Sequence, residues 1–209
     1  MIRHLVHIAV LFSLASCATM DKDECQVADW YVIGYEDGAK GHSLSYLGNH
    51  RKACANHGIA PDAELYEQGR LAGLNEYCTR QNGFELGKSG SKFNPVCLPP
   101  LTRAFKQAWQ DGREVYNAKS KLLASERRLK QQQKLVDTLY QQLEDSEARL
   151  ISDGISSKQR RALLVEVKEL SDELDIAEVK LTELQDRVTY ERNNLEEVEE
   201  RYRYQILEL

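Results

Sequence analysis

Hydrophobic residues in the second half of the chain recur at alternating steps of four and three over almost fifty positions. From Leu163 the series runs Val167, Leu170, Leu174, Ala177, Leu181, Leu184, Val188, then Glu191, Leu195, Val198, Tyr202, Gln205 and Leu209. That alternation is the seam of a coiled coil. A second series precedes it, with Val115, Leu122, Leu129, Val136, Leu143 and Leu150 at intervals of seven. Ala118, Ser125, Gln132, Leu139 and Ser146 stand between them, so this seam is partly polar. Between the two helices lies Ser152-Asp153-Gly154-Ile155-Ser156-Ser157. Gly154 suits the end of one helix, and Ser156 with Gln159 three residues on resembles a capping box for the next.

A connection this short predicts antiparallel neighbours. In an antiparallel hairpin, facing residue numbers add to a constant. A total of 313 matches Leu150 with Leu163, Leu143 with Leu170, Leu139 with Leu174, Val136 with Ala177, Leu129 with Leu184 and Val115 with Val198. Each arm of about 50 residues rises about 75 Å. The competing arrangement for the same heptads is a parallel homodimer. A two-helix arm buries only one narrow seam, so a partner or a second copy is expected to add to it.

The first half follows another pattern, in which an aromatic residue is followed three positions later by glycine. It occurs at Tyr35 and Gly38, Tyr66 and Gly69, Phe84 and Gly87, and Trp109 and Gly112, and Gly41, Gly73 and Gly90 follow most copies. At helical spacing such glycines form a strip where another backbone approaches closely. Glycine weakens a helix by about 1 kcal/mol against alanine, so the repeats call for a packing reason. The alternative is that some of them, Gly41, Gly58 and Gly90 foremost, end helices in a left-handed turn. Ten of the twelve glycines and all four prolines lie before residue 101, which marks a boundary at Pro99-Pro100.

The N-terminus has a third grammar. Arg3 and the apolar run Leu5 to Phe12 lead into Leu14-Ala15-Ser16-Cys17, a run too short to span a bilayer and of signal-peptide length. The pattern resembles a bacterial lipoprotein signal. It implies diacylglycerol on Cys17, cleavage after Ser16, and, with Ala18 rather than aspartate next, the periplasmic face of the outer membrane. The alternatives are an ordinary cleaved signal or a buried helix. The polar, acidic stretch from Thr19 to Glu24 argues against the helix.

Charge and cysteines narrow the picture further. A net charge of −5 with both signs interspersed gives no footprint for nucleic acid. Beyond Cys17 there are four cysteines, Cys25, Cys54, Cys78 and Cys97, which in an exported chain read as two disulfides. Three pairings are open, of which Cys25 with Cys54 and Cys78 with Cys97 is favoured. His50, Cys54 and His57 at i, i+4 and i+7 offer a metal alternative, but paired C-x₂-C spacings are absent. No metal or cofactor is expected.

Residues about 25 to 97 also carry a resemblance. Trp30, Ile33 to Gly38 with Gly41, His50 and Cys54, Pro61-Asp62, Tyr66 to Arg70 with Gly73-Leu74, Tyr77-Cys78, Gly83-Phe84, Gly87 and Cys97 are similar to the bacterial lipoprotein family catalogued as domain of unknown function 2799. The resemblance implies a place in the cell envelope and no activity.

The expected fold is all-α, a small disulfide-stapled head rich in glycine and aromatic residues followed by a long antiparallel two-helix coiled-coil hairpin. Residues 1–16 are expected to be the cleaved signal, 17–26 a tether, 27–100 the head, and 101–209 the hairpin with its turn near 152–157. No G-x-S-x-G elbow, H-E-x-x-H, P-loop or dinucleotide fingerprint occurs, so no catalytic residue is assigned. The histidines beyond the signal, His42, His50 and His57, read as surface residues. The leading expectation is a non-enzymatic envelope protein anchored to the membrane by its lipid. Its arm meets an envelope protein or a second copy of the chain. A small-ligand binder using clefts around Trp30, Tyr35 and Tyr66 is the alternative, and an enzyme would need Glu36, Asp37 and Glu67 to converge.

Overall fold

The computed structural model describes residues 20–207, with side chains through Arg203. The signal expected at 1–16 and the lipidation site Cys17 lie outside the described residues. Everything regular within them is helical: α1 Lys22–Val27, α2 Trp30–Ala39, a 3₁₀ turn Leu44–Tyr46, α3 Leu47–Ala55, α4 Ala63–Tyr77, α5 Arg80–Lys88, α6 Leu101–Leu150 and α7 Ser157–Leu207. Short acidic or hydroxyl side chains start the helices by accepting orphan backbone N–H groups. Asp29 caps α2, Asp62 caps α4 and Thr79 caps α5, while Asp21 and Glu24 form a reciprocal capping box at α1. That box and Cys25, whose sulfur is in a disulfide, make a helix of the later part of the stretch assigned to a tether.

The chain divides into two compact units: the residues through Cys78 together with Asn94–Leu98, and Thr79–Phe93 together with Pro99 onward. In the first, α2 and α4 pack backbone to backbone. A Cβ on Gly34 or Gly38 would overlap the carbonyls of Tyr66 and Arg70, and one on Gly69 or Gly73 would overlap those of Tyr31 and Tyr35. The left-handed Gly41 (φ +77°) ends α2, with His42 N–H donating to the Asp37 carbonyl and the Tyr77 ring covering the glycine. The Cys25–Cys54 disulfide joins α1 to α3 within a core that also holds Trp30, Leu47 and Tyr66. Cys78–Cys97 closes the end of α4 onto the segment from which the Asn94 amide donates to the Gly41 carbonyl at 2.8 Å.

The second unit repeats the same pair. Gly83 and Gly87 of α5 lie against the Phe105 and Trp109 carbonyls of α6, Gly112 lies against that of Phe84, and the left-handed Gly90 (φ +82°) is covered by the Tyr116 ring. Positions correspond at a shift of 49 in the first helix, Gly34 to Gly83 and Gly41 to Gly90, and of 39 in the second, Tyr66 to Phe105 and Tyr77 to Tyr116. Even the closing hydrogen bond recurs. Arg70 donates to the His42 carbonyl at 3.5 Å, and Trp109 at the matching position donates to the Ser91 carbonyl at 3.1 Å. What reads along the sequence as four aromatic-glycine motifs is therefore a helix pair present twice.

Beyond this base α6 continues as one arm of a long antiparallel hairpin with α7. Val136, Leu139, Leu174 and Ala177 form one buried cluster with Leu143 and Leu170 against it, as the constant of 313 requires. Polar cross-pairs keep the same register: Ser146 with Glu166 totals 312, and Glu114 with Arg201 totals 315. At the tip Ser156 and Gln159 form the expected reciprocal cap, and Gly154 is left-handed (φ +81°). At the base Val198 and Tyr202 return to Val115 and Phe84.

Alanine at Gly38 or Gly87 must push two backbones apart. Each substitution is expected to lower stability by about 1–3 kcal/mol in urea unfolding. Gly48→Ala, in α3 with open space around the new methyl, is expected to raise it by about 0.5–1 kcal/mol.

Candidate functional site

Three side chains from three helices of the first unit meet in its interior. Asp37 stands near the end of α2, His50 on the buried face of α3 with Leu47 and Cys54, and Tyr66 in the first turns of α4. The Tyr66 hydroxyl donates to Asp37 Oδ2 at 2.7 Å, and His50 Nε2 lies 2.7 Å from the same oxygen. With Asp37 an ionised carboxylate, which only accepts, a neutral His50 carries its ring proton on Nε2. Burial, then the hydrogen bond to Asp37 and its charge, push the Tyr66 hydroxyl well above the usual tyrosine range and keep it a donor. Rings surround His50: Trp30 at 6.4 Å, Tyr46 at 5.5 Å and Tyr66 at 5.9 Å between centroids. Tyr46 in turn stacks on His42 at 3.8 Å.

Two atoms in this neighbourhood are enclosed without a hydrogen-bond partner among the described residues, His50 Nδ1 and Arg70 Nε. Arg70 has other bonds, to the Glu67 carboxylate at 3.3 Å and to the His42 carbonyl. Among the described residues the His50 ring makes one hydrogen bond, to Asp37.

The second unit supplies an internal comparison. The residues corresponding to Asp37 and Tyr66 are Leu86 and Phe105, and Phe105 is fully buried in the same place as Tyr66. The second helix pair also packs backbone to backbone, with a leucine and a phenylalanine at these positions. Helix packing alone therefore does not require the polar trio, which is coupled to the α3 segment present only in the first unit.

Beside the trio opens a cleft of about 510 Å³, within the range of small-molecule sites. Met20, Val27, Ala28, Ile33 and Tyr46 give it apolar walls, while Glu24, Glu36, Lys40, Asp37 and His50 give it polar ones. Its lining differs from the one expected around Trp30, Tyr35 and Tyr66. Trp30 and Tyr66 are consumed in the core, and Tyr35 is exposed and does not line the cleft.

The structure gives the three carboxylates separate partners. Glu36 meets Lys40 at 3.8 Å on the surface, Glu67 meets Arg70, and Asp37 is inside. Cys54 is in a disulfide, so its sulfur is unavailable to a metal alongside His50 and His57. His50, read as a surface residue, is buried. Its one sequence signal is the spacing Leu47, His50, Cys54, which marks an inner helical face.

Comparison with known families matches residues 29–114 to the family described as Protein of unknown function (DUF2799). The chain carries a DUF2799 domain. The DUF2799 domain opens at Asp29, the cap of α2, and closes at Glu114, just past Gly112, so it holds both glycine-packed pairs and extends beyond the resemblance at 25–97. The rest of the hairpin lies outside it. Neither the curated proteins nor the solved structures contain a match to the chain.

Because Tyr66 keeps its proton in the fold after the unfolded chain has lost it, its contribution is complete below about pH 10 and fades as pH rises above that. Tyr202, raised to about 12 by burial and its bond to Glu114, adds the same sign in the second unit. Tyr66→Phe is expected to flatten the alkaline loss of stability in part, measured by thermal unfolding from pH 8 to 11.5. At neutral pH, Asp37→Leu and Tyr66→Phe alone should each cost about 1–3 kcal/mol, and the double swap less than their sum, since it reproduces the Leu86 and Phe105 arrangement.

Proposed function

We propose that this is a non-enzymatic, lipid-anchored cell-envelope protein, held at Cys17 to the periplasmic face of the outer membrane, whose helical hairpin is an interaction arm. The observation that carries the reading is the hairpin's outer surface. Two helices of about 75 Å each bury one seam. Apolar residues nevertheless stand on the side of α7 turned away from it, with Ile176 72% and Val179 64% exposed and, three turns earlier on the same face, Val165 exposed as well. Ile176 and Val179 are one turn apart and so form a small apolar patch of the kind a partner helix can cover. As a coiled coil, the hairpin offers that face to another envelope component or to a second copy of itself. Among the described residues no helix is long and apolar enough to cross a membrane, so attachment in this proposal rests on the acyl chains at Cys17.

A second reading, a small-ligand binder, draws on the cleft beside His50. The two uses are compatible, since they occupy different units.

A photo-crosslinking residue at Ile176 or Val179 in intact cells is expected to capture one discrete protein, and the same residue at Lys134, exposed on the outward face of α6, much less. Failure to capture anything along residues 120–190 would end the arm reading. Cys17→Ser is expected to move the protein from the membrane fraction to the soluble periplasmic one. Unchanged fractionation would remove the anchor.

A further inference from the structure

We infer that the cleft beside Asp37, His50 and Tyr66 binds a small organic cation, a primary ammonium on an apolar body. The inference rests on the second reading above and gives that site its ligand class. Three observations converge on it.

His50 lines the cleft, is 6% exposed, and keeps an enclosed Nδ1 without a partner among the described residues. With the ring proton held on Nε2 by Asp37, that nitrogen is an acceptor, so the missing group is a hydrogen-bond donor. A buried acceptor without a donor is costly, and the second unit shows that the helix pair itself has no need of one. The cleft walls then decide the donor's charge. Glu24, Glu36 and Asp37 set three carboxylates against the single ammonium of Lys40, a field that repels anions and attracts a cation. Val27, Ala28, Ile33, Met20 and Tyr46 leave room for an apolar body behind the ammonium. Of the rings around His50, Trp30 and Tyr66 are buried, while Tyr46 is partly exposed and lines the cleft. Tyr46 is therefore the ring of the three that stands between the His50 imidazole and the cleft's open side only in part, and it lines the cleft in contact with His50.

The test is a titration of full-length protein carrying ¹⁵N-labelled histidine with 2-phenylethylammonium, and separately with 3-phenylpropanoate, read at the His50 ring nitrogens. The expected result is a saturable shift of Nδ1 with the ammonium, Nε2 remaining protonated, and no saturable shift with the carboxylate. Replacing Glu24 and Glu36 together by glutamine should weaken the ammonium's affinity about tenfold. Both positions are exposed, and glutamine preserves the capping box of α1. An equal response to 3-phenylpropanoate, or an unchanged affinity in the double variant, overturns the cation assignment while leaving a binding cleft. No saturable response of His50 to either compound overturns the cleft as a ligand site altogether.

Discussion

Everything in the DUF2799 domain depends on two helices touching through their main chains. At Gly34, Gly38, Gly69 and Gly73 in one pair, and Gly83, Gly87 and Gly112 in the other, the neighbour is a carbonyl oxygen rather than a side chain. Contact of this kind leaves no apolar layer between the helices. The side chains that would fill an ordinary core are displaced to the edges, where Tyr66 and Phe105 become fully buried and Tyr77 and Tyr116 close over left-handed glycines. Short helices with so little side-chain core are costly to order, which explains why the first unit also holds two disulfides. The second unit has none among its described residues, and there α6 simply continues into the hairpin.

The repeated pair separates what the fold needs from what is particular to one copy. Both copies keep the covering tyrosine, the bond that closes the turn and every packing glycine but one, Gly69, whose place Ala108 takes in the second. Only the first substitutes a carboxylate and a phenol for leucine and phenylalanine, and only the first adds α3 with His50. A polar network buried in one copy and absent from its twin has a role tied to α3 and the cleft, either in holding that helix in place or in meeting a ligand. The unpartnered Nδ1 favours the ligand, because anchoring α3 uses Nε2 alone.

Legibility followed interaction range. The hairpin was readable to the level of individual facing residues because its contacts repeat every seven positions and a short turn fixes the sum. The favoured cysteine pairing matches the structure, although spacing alone left three pairings open. The aromatic-glycine motif was visible, but its register was not. The second copy puts Ala108 where the first has Gly69, and Trp109 aligns with Arg70 rather than with an aromatic residue. The Asp37, His50 and Tyr66 trio was hidden for a simpler reason. Its members lie 13 and 29 residues from Asp37, and nothing in the identity of a single histidine tells an inner face from an outer one except the neighbours Leu47 and Cys54.

The most direct test of the paired-helix account is native-state hydrogen exchange in increasing urea. If main-chain contact makes each pair one element, the amides of α2 and α4 open together with a common free energy, and those of α5 do so with the first turns of α6, while the hairpin tip near Gly154 exchanges sooner. Exchange of α2 independent of α4, or of α5 independent of α6, would contradict it.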